Sequence, residues 1–187
     1  MPELPEVEVV RRGLDAHVLG RTFARVEVLH PRAARGNTVD LETALPGLTI
    51  TGTGRRGKYL WLTLSDGAAL LVHLRMSGQM LVAEHGTVTS PHLRIRADIG
   101  DAELDFVDQR TFGYWLYAPW DKIAHIGIDP LEPDFDSAAT ARRLRAKRTA
   151  VKTALLDQTL TSGIGNIYAD ESLWAAQISP RKKASTL

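Results

Sequence analysis

The chain contains no cysteine. That excludes disulfides and thiolate zinc sites, and it fits a reducing cytoplasm. No stretch of about 18 uninterrupted apolar residues occurs, so no membrane-spanning helix is expected. The start lacks the basic, then apolar, then small-residue order of a secretory leader. The six histidines form no H-x-x-x-H pair or other ligand spacing, so no metal site is expected. There is no internal repeat and no low-complexity segment. What remains is an ordinary apolar content of 44% over 187 residues, enough for one large domain or two small ones.

The net charge of +1 conceals an uneven distribution. From Asp98 to Thr140 acids dominate. From Ala141 onward the bases Arg142, Arg143, Arg145, Lys147, Arg148, Lys152, Arg181, Lys182 and Lys183 face only Asp157, Asp170 and Glu171. Such a basic segment reads either as a solvated helix face or as a surface for a polyanion.

The apolar pattern changes period along the chain. Val7, Val10, Leu14 and Val18 recur at helical spacing and predict a helix from Glu6 to about Leu19, ended by Gly20. Short runs at Thr22–Leu29, Thr49–Thr53, Lys58–Leu64, Ala68–Leu74, Leu93–Ile99, Ala102–Val107 and Tyr114–Ala118 predict strands. The fold expected is α+β: an N-terminal helix on an antiparallel β-sandwich over residues 1–127. Pro130 and Pro133 mark a linker over 128–137. A helical domain over 138–187 follows, with Ser137 as N-cap and helices at Ala138–Lys147, Val151–Leu156 and Ile167–Ala176.

Several groups stand out chemically. Pro2 directly follows Met1, and methionine is usually removed before a small residue. The mature chain then starts with a secondary amine, able to form an iminium at an electrophilic carbon. An α-amino group has a reference pKa near ~8, so a useful fraction is neutral at physiological pH. Read alone, Pro2-Glu3 is also ordinary helix-start chemistry. Ser162-Gly163-Ile164-Gly165-Asn166 lies between two helices. It reads as a plain hairpin, or as a phosphate site of exposed amides with Asn166 as a cap or a donor. Arg55-Arg56-Gly57-Lys58 reads as an exposed basic turn, as a phosphate contact or, at Lys58, as a proton donor. Met76, Arg110 and Phe112 fall in predicted loops. They are core packing or wedges that enter a duplex beside an extruded base.

Taken in order, PELPEVEVVRRGL, RRGKYLWL, HLRMSGQM, DQRTFG and LLDQTLTSGIGNIYADESLW resemble the formamidopyrimidine-DNA glycosylase family from Met1 to about Pro180. The resemblance implies a bifunctional glycosylase and abasic-site lyase of base excision repair. Its implied substrates are oxidised purines such as 8-oxoguanine and formamidopyrimidines. Pro2 would be the nucleophile, Glu3 the acid/base group, Lys58 the proton donor for β-elimination, and Glu6 and Glu171 carboxylates that shape the site. Met76, Arg110 and Phe112 would fill the gap after base flipping, with Arg110 facing the orphaned base. His92, Lys147, Lys152, Gly165 and Asn166 match or adjoin phosphate-contacting positions. Leu4, where the endonuclease VIII branch typically has Gly, favours the oxidised-purine branch over an oxidised-pyrimidine glycosylase.

The sequence also departs from the family pattern. Arg75 stands where a Gly is expected before Met76, and His92 lacks the usual His-Asp-His run. Family members continue with further helices, a loop over the flipped base, and a four-cysteine zinc finger whose arginine grips the lesion phosphates. With no cysteine here, no cofactor is expected in this chain. The helical domain is expected to be incomplete and to bind DNA more weakly than a full-length homologue. A damaged-DNA-binding relative, weak or inactive in catalysis, is the alternative from another class. The expected partner is double-stranded DNA with oxidised bases or abasic sites, bound by a monomer in the bacterial cytoplasm.

Overall fold

The structure is a computed structural model that describes residues 2–187, the Trp120 side chain apart. By chain contacts it divides into two compact units. One comprises the chain up to Arg55 with Tyr59–Lys122, and the other Arg56–Lys58 with Ile123–Leu187.

In the first unit, helix α1 (Leu4–Val18) begins two residues before the expected Glu6. Glu3 is its N-cap in an extended conformation, Pro5 occupies its first turn, and Glu6 Oε2 reaches back to accept the Glu3 N–H at 2.9 Å. This reach-back bond of a capping box satisfies a donor that a helix start otherwise leaves open. Val7, Leu14 and Val18 form the buried stripe, with Val10 packed at its margin. Each fully buried aliphatic side chain of this kind contributes about 1.5–3 kcal/mol.

Eight strands follow: β1 (Arg25–Val28), β2 (Ile50–Arg56), β3 (Tyr59–Leu64), β4 (Ala69–His73), β5 (Gly78–Ala83), β6 (Leu93–Asp98), β7 (Glu103–Asp108) and β8 (Tyr114–Ala118). They make two four-stranded sheets, ordered β1-β6-β7-β5 and β2-β3-β4-β8. Strand β3 shows the two-residue period of a half-buried strand, with Leu60, Leu62 and Leu64 turned inward. Both sheets and α1 contribute to one core, and α1 packs on β3 and β5. Phe106 of β7 and Trp115 of β8 meet across it with ring centroids 6.1 Å apart, and Trp115 Nε1 donates to Met80 Sδ of β5 at 3.3 Å. The loops that continue from β4, β7 and into β8 therefore rest on a tightly packed base.

Strand β5 was not anticipated. It follows a loop, starts on Gly78-Gln79, and its alternation of Met80 inward with Gln79 and Leu81 outward is short. A short helix α2 (Leu41–Ala44), capped by Asp40, was also missed.

The second unit contains α3 (Ser137–Arg145), α4 (Val151–Leu155) and α5 (Asn166–Ala175). The N-cap of α3 is Asp136, not the expected Ser137: its carboxylate accepts the Ala139 N–H at 2.8 Å, and a carboxylate also favours the positive helix end. Val151, Ala154, Leu173 and Ala184 form a small core. The proline-rich segment before α3 is anchored. Asp129 is fully buried, accepting Leu131 N–H at 3.0 Å and Gly57 N–H at 2.8 Å.

Candidate catalytic residues and nucleic-acid interface

At the N-terminus Pro2 is half-buried, Glu3 is buried at 1% exposure, and Glu6 is exposed. The Glu6 bond to the Glu3 amide fixes the chain direction where Pro2 joins the helix. One turn further on, Glu8 accepts from Arg12 at 2.8 Å, Arg55 at 2.9 Å and Arg11 at 3.0 Å. Burial raises the Glu8 carboxyl pKa, but hydrogen bonds from Arg11, Arg55 and Arg12 outweigh it and hold the group down at about 2. The Arg55 side chain is only 5% exposed and Arg56 pairs with Glu132 at 3.4 Å. The two arginines of the basic segment Arg55-Arg56-Gly57-Lys58 are thus committed to ion pairs with Glu8 and Glu132.

Met76 and Phe112 are exposed at 43% and 39%, and Arg110 is exposed beside them. Arg110 Nη1 donates to the Met76 sulfur at 3.2 Å. Both residues sit on loops held by Asp108, a fully buried carboxylate that accepts from the Ser77 hydroxyl, the Arg110 N–H at 3.2 Å and the Gly113 N–H at 2.7 Å. The turn is tight: Thr111 has φ +54°. Arg75, before Met76, has φ +55°, a left-handed conformation that Gly adopts without strain. His73 Nδ1 accepts the Arg75 N–H at 3.0 Å and helps hold it there.

Around Phe112 lies a groove of about 370 Å³ lined by Arg35, Arg75, Met76 and Phe112. Arg35 donates to the Phe112 and Gly113 carbonyls and stacks 4.4 Å from the Tyr114 ring centre, while Arg32 lies 5.4 Å from the Phe112 ring centre. This surface combines guanidinium charge with exposed apolar groups, the composition that suits phosphate and base together. His92, at the start of the segment leading into β6, is half-buried. Its carbonyl accepts the Asp108 N–H at 2.9 Å, and its Nδ1 lies 3.3 Å from Arg94 Nη2.

In the second unit Lys58 follows Gly57, whose φ is +57°. A Cβ at Gly57 would lie 2.7 Å from Ser162 Cβ and 3.0 Å from the Gly163 nitrogen. Glycine therefore sets both the turn and its close approach to the two-glycine loop. The first part of that loop is packed and hydrogen-bonded within the unit. Ser162 and Gly163 are buried, Ser162 Oγ donates to the Gly127 carbonyl, and the Gly163 N–H goes to Gln158 Oε1 at 3.0 Å. Gln158 also donates to the Ile164 carbonyl at 3.0 Å. Gly165 is the N-cap of α5, so Asn166 is not the cap but the exposed first helical residue.

Lys147 pairs with Asp157 and Lys152 with Asp170, each at 2.8 Å. The Lys147 hydrogen bond, helped by the Thr159 hydroxyl and amide, holds the Asp157 carboxyl at about 2. Pairs this exposed contribute only ~0–1 kcal/mol, so either lysine can exchange its carboxylate for a phosphate at little cost. Glu171 is exposed on α5, beside a groove of about 360 Å³ lined by Asp170, Leu173, Trp174, Ile178 and Pro180. Trp174 is 76% exposed.

Sequence reasoning missed Asp108, Asp129 and Gln158. Each is an anchoring side chain whose partners lie far along the chain or on backbone amides, and spacing carries no signal for that. Among the described residues no group of three or more His, Asp or Glu side chains is placed to hold a metal ion.

A helix-flanked β-sandwich with a proline–glutamate start, joined in one chain to a helical unit whose glycine turn opens a helix, defines the helix–two-turn–helix DNA glycosylases. The chain belongs to the formamidopyrimidine-DNA glycosylase family: the family's N-terminal domain matches residues 1–115 and its H2TH domain residues 126–187. It is 59% identical to the formamidopyrimidine-DNA glycosylase of Corynebacterium aurimucosum, covering 100% of this chain and 68% of that protein. It is 56% identical to that of Mycolicibacterium gilvum, covering 99% and 70%. Among solved structures, the Lactococcus lactis enzyme in complex with DNA containing an abasic site superposes with a TM-score of 0.91 at 37% identity, over 99% of this chain and 72% of that one. Its complex with DNA containing Fapy-dG gives the same values. No described helix is long and apolar enough to cross a membrane.

Proposed function

We propose that this chain is a bifunctional DNA glycosylase and abasic-site lyase acting on oxidised purines in duplex DNA. After loss of Met1, the neutral Pro2 amine attacks C1′ of the damaged nucleotide and the base leaves, with Glu3 exchanging the proton beside it. The sugar ring then opens: the C1′–O4′ bond breaks, O4′ takes up a proton, and the nitrogen lone pair forms the C1′ iminium, which acidifies the C2′ proton. Loss of that proton expels the 3′ phosphate by β-elimination, and δ-elimination releases the 5′ phosphate. Lys58 supplies a proton during β-elimination, while Glu6 and Glu171 shape the site. Met76, Arg110 and Phe112 occupy the space left by the flipped nucleotide. His92, Lys147, Lys152, Gly165 and Asn166 hold phosphates and so set register rather than sequence preference.

The observation that carries this reading is the 2.9 Å bond from the Glu3 amide to Glu6, which fixes the backbone directly behind Pro2 at a residue that is itself buried. The DNA ligands in the Lactococcus lactis complexes, an abasic site and Fapy-dG, support the substrate class. Borohydride trapping on abasic and 8-oxoguanine duplexes tests it. A covalent adduct is expected, lost in Pro2→Gly and when Met1 is retained. Binding without any adduct would instead establish a damage-binding protein, and faster excision of thymine glycol than of 8-oxoguanine would reassign the lesion class.

A further inference from the structure

The buried carboxylate of Asp108 bonds to both loops that carry Met76, Arg110 and Phe112, through the Ser77 hydroxyl in one and backbone amides in the other. Oδ1 accepts from the hydroxyl of Ser77, the residue after Met76, and from the Arg110 N–H at 3.2 Å. Oδ2 accepts the N–H of Gly113, the residue after Phe112, at 2.7 Å. Its main chain is held as well: the carbonyl accepts Arg94 Nε at 2.9 Å, and the amide donates to the His92 carbonyl at 2.9 Å. A Cβ at Gly113 would lie 2.6 Å from the Phe106 ring and 3.1 Å from Asp108 Oδ2, so this end of the loop has no room to shift. Ser77 adds a second tie, since its Oγ also receives the Arg110 N–H at 3.1 Å.

We propose that Asp108, with Ser77, is the positioning residue for Met76, Arg110 and Phe112, fixing the spacing of the three before DNA arrives. The 3.2 Å contact of Arg110 with the Met76 sulfur is the consequence, since two loops tied to one carboxylate bring their exposed side chains together. The proposal rests on the gap-filling reading of those three residues. It assigns Asp108 no contact with DNA, and its effect passes through the loops. A fixed arrangement matters because a shift of about 1 Å in a positioning group can cost ~100-fold in rate.

The test compares Asp108→Asn and Ser77→Ala with Arg110→Ala and Met76→Ala. In Asp108→Asn the amide nitrogen must face either the Gly113 N–H or the Ser77 and Arg110 donors, so one donor loses its acceptor. Two reactions are read: single-turnover excision from an 8-oxoguanine duplex, and borohydride trapping on a single-stranded abasic oligonucleotide, which has no opposite strand and no gap to fill. Asp108→Asn is expected to slow the duplex reaction ~10–100-fold and to leave single-strand trapping within ~2-fold. The rate ratio for cytosine against adenine opposite the lesion should move toward that of Arg110→Ala. Ser77→Ala, a milder change, should move both duplex readouts the same way by a smaller factor. A readout without turnover is the fluorescence of 2-aminopurine placed opposite a tetrahydrofuran site at saturating protein, which should change less on binding Asp108→Asn than on binding the unaltered chain.

Equal losses on duplex and single strand would make Asp108 merely structural and overturn the proposal. So would an unchanged duplex rate and 2-aminopurine response in Asp108→Asn alongside impaired Arg110→Ala. Unimpaired Arg110→Ala and Met76→Ala would show instead that the gap-filling reading is wrong, and the proposal would fall with it.

Discussion

Arg55 Nε lies 2.9 Å from Glu8 Oε2, a pair that ties β2 to α1, the helix that Glu3 caps and whose first turn includes Glu6. The Arg55 side chain is 5% exposed, so the Glu8 carboxylate offsets part of the cost of burying its charge. Removing one member of a buried pair costs more than the pair contributes, because the other charge is left desolvated. Glu8→Gln is therefore expected to destabilise the chain by about 2–4 kcal/mol, a drop of about 5–15 °C in Tm for a chain of this size. Arg12→Ala, which removes a 74%-exposed partner of the same carboxylate, should change Tm by no more than about 2 °C. Equal effects from the two variants would show that Arg55 does not depend on Glu8.

The same pair predicts an acid dependence. The Glu8 pKa falls from 4.5 to about 2 on folding, so its contribution is fully present above about pH 5 and is lost as pH falls toward 2. The Tm difference between the unaltered chain and Glu8→Gln should stay constant from pH 7 to about pH 5 and shrink steadily below that. Thermal unfolding across this range checks it. A difference that persisted undiminished at pH 2.5 would mean that Glu8 keeps its ordinary affinity for protons.

How much of this was legible in the sequence depends on the range of the interaction. The stripe Val7, Val10, Leu14 and Val18 announced α1 because one helix face is a local pattern, and the alternation in β3 did the same for a strand. The start of α1 was misplaced because Pro5 and Glu6 were not read as its first turn with Glu3 as cap. Strand β5 escaped because only partner β7 reveals that Gly78-Gln79 is extended. Pro2, Met76, Arg110 and Phe112 stood out as residue types in motifs. The closeness of Met76 and Arg110, 34 positions apart, did not. Asp108 and Asp129 looked like two more acids in an acidic stretch, since their role lies in which distant amides they accept. The two-glycine loop was open to two readings for the same reason: spacing does not show that Gln158, five positions before Gly163, takes up its amide.

Gly57 offers a test of that packing. Alanine there would combine a φ of +57° with a Cβ 2.7 Å from Ser162 Cβ, so both strain and overlap oppose it. Gly57→Ala is expected to lower stability by about 1–3 kcal/mol and to shift Lys58, the next residue. The kinetic signature should be separable: on an abasic duplex the trapped Schiff base accumulates, while strand cleavage by β-elimination slows. Unchanged cleavage per trapped adduct would argue against Lys58 as the proton donor in that step.

Lys152 and Asp170 lead to a prediction with opposite signs for two neighbouring residues. The ammonium is 2.8 Å from the carboxylate, whose side chain is 56% exposed, so a DNA phosphate at Lys152 must compete with Asp170 for the same cation. Removing the competitor frees the charge, and removing the cation removes the contact. Asp170→Asn is accordingly expected to tighten binding to a tetrahydrofuran-containing duplex by ~2–5-fold at low salt, in line with the small value of an exposed pair. Lys152→Ala should weaken binding and reduce the slope of log K against log salt by about 0.9, the effect of losing one phosphate neutralisation. Fluorescence anisotropy at several salt concentrations measures both. If Asp170→Asn weakened binding, or if Lys152→Ala left the slope unchanged, Lys152 would be a structural partner of α5 and not a phosphate contact.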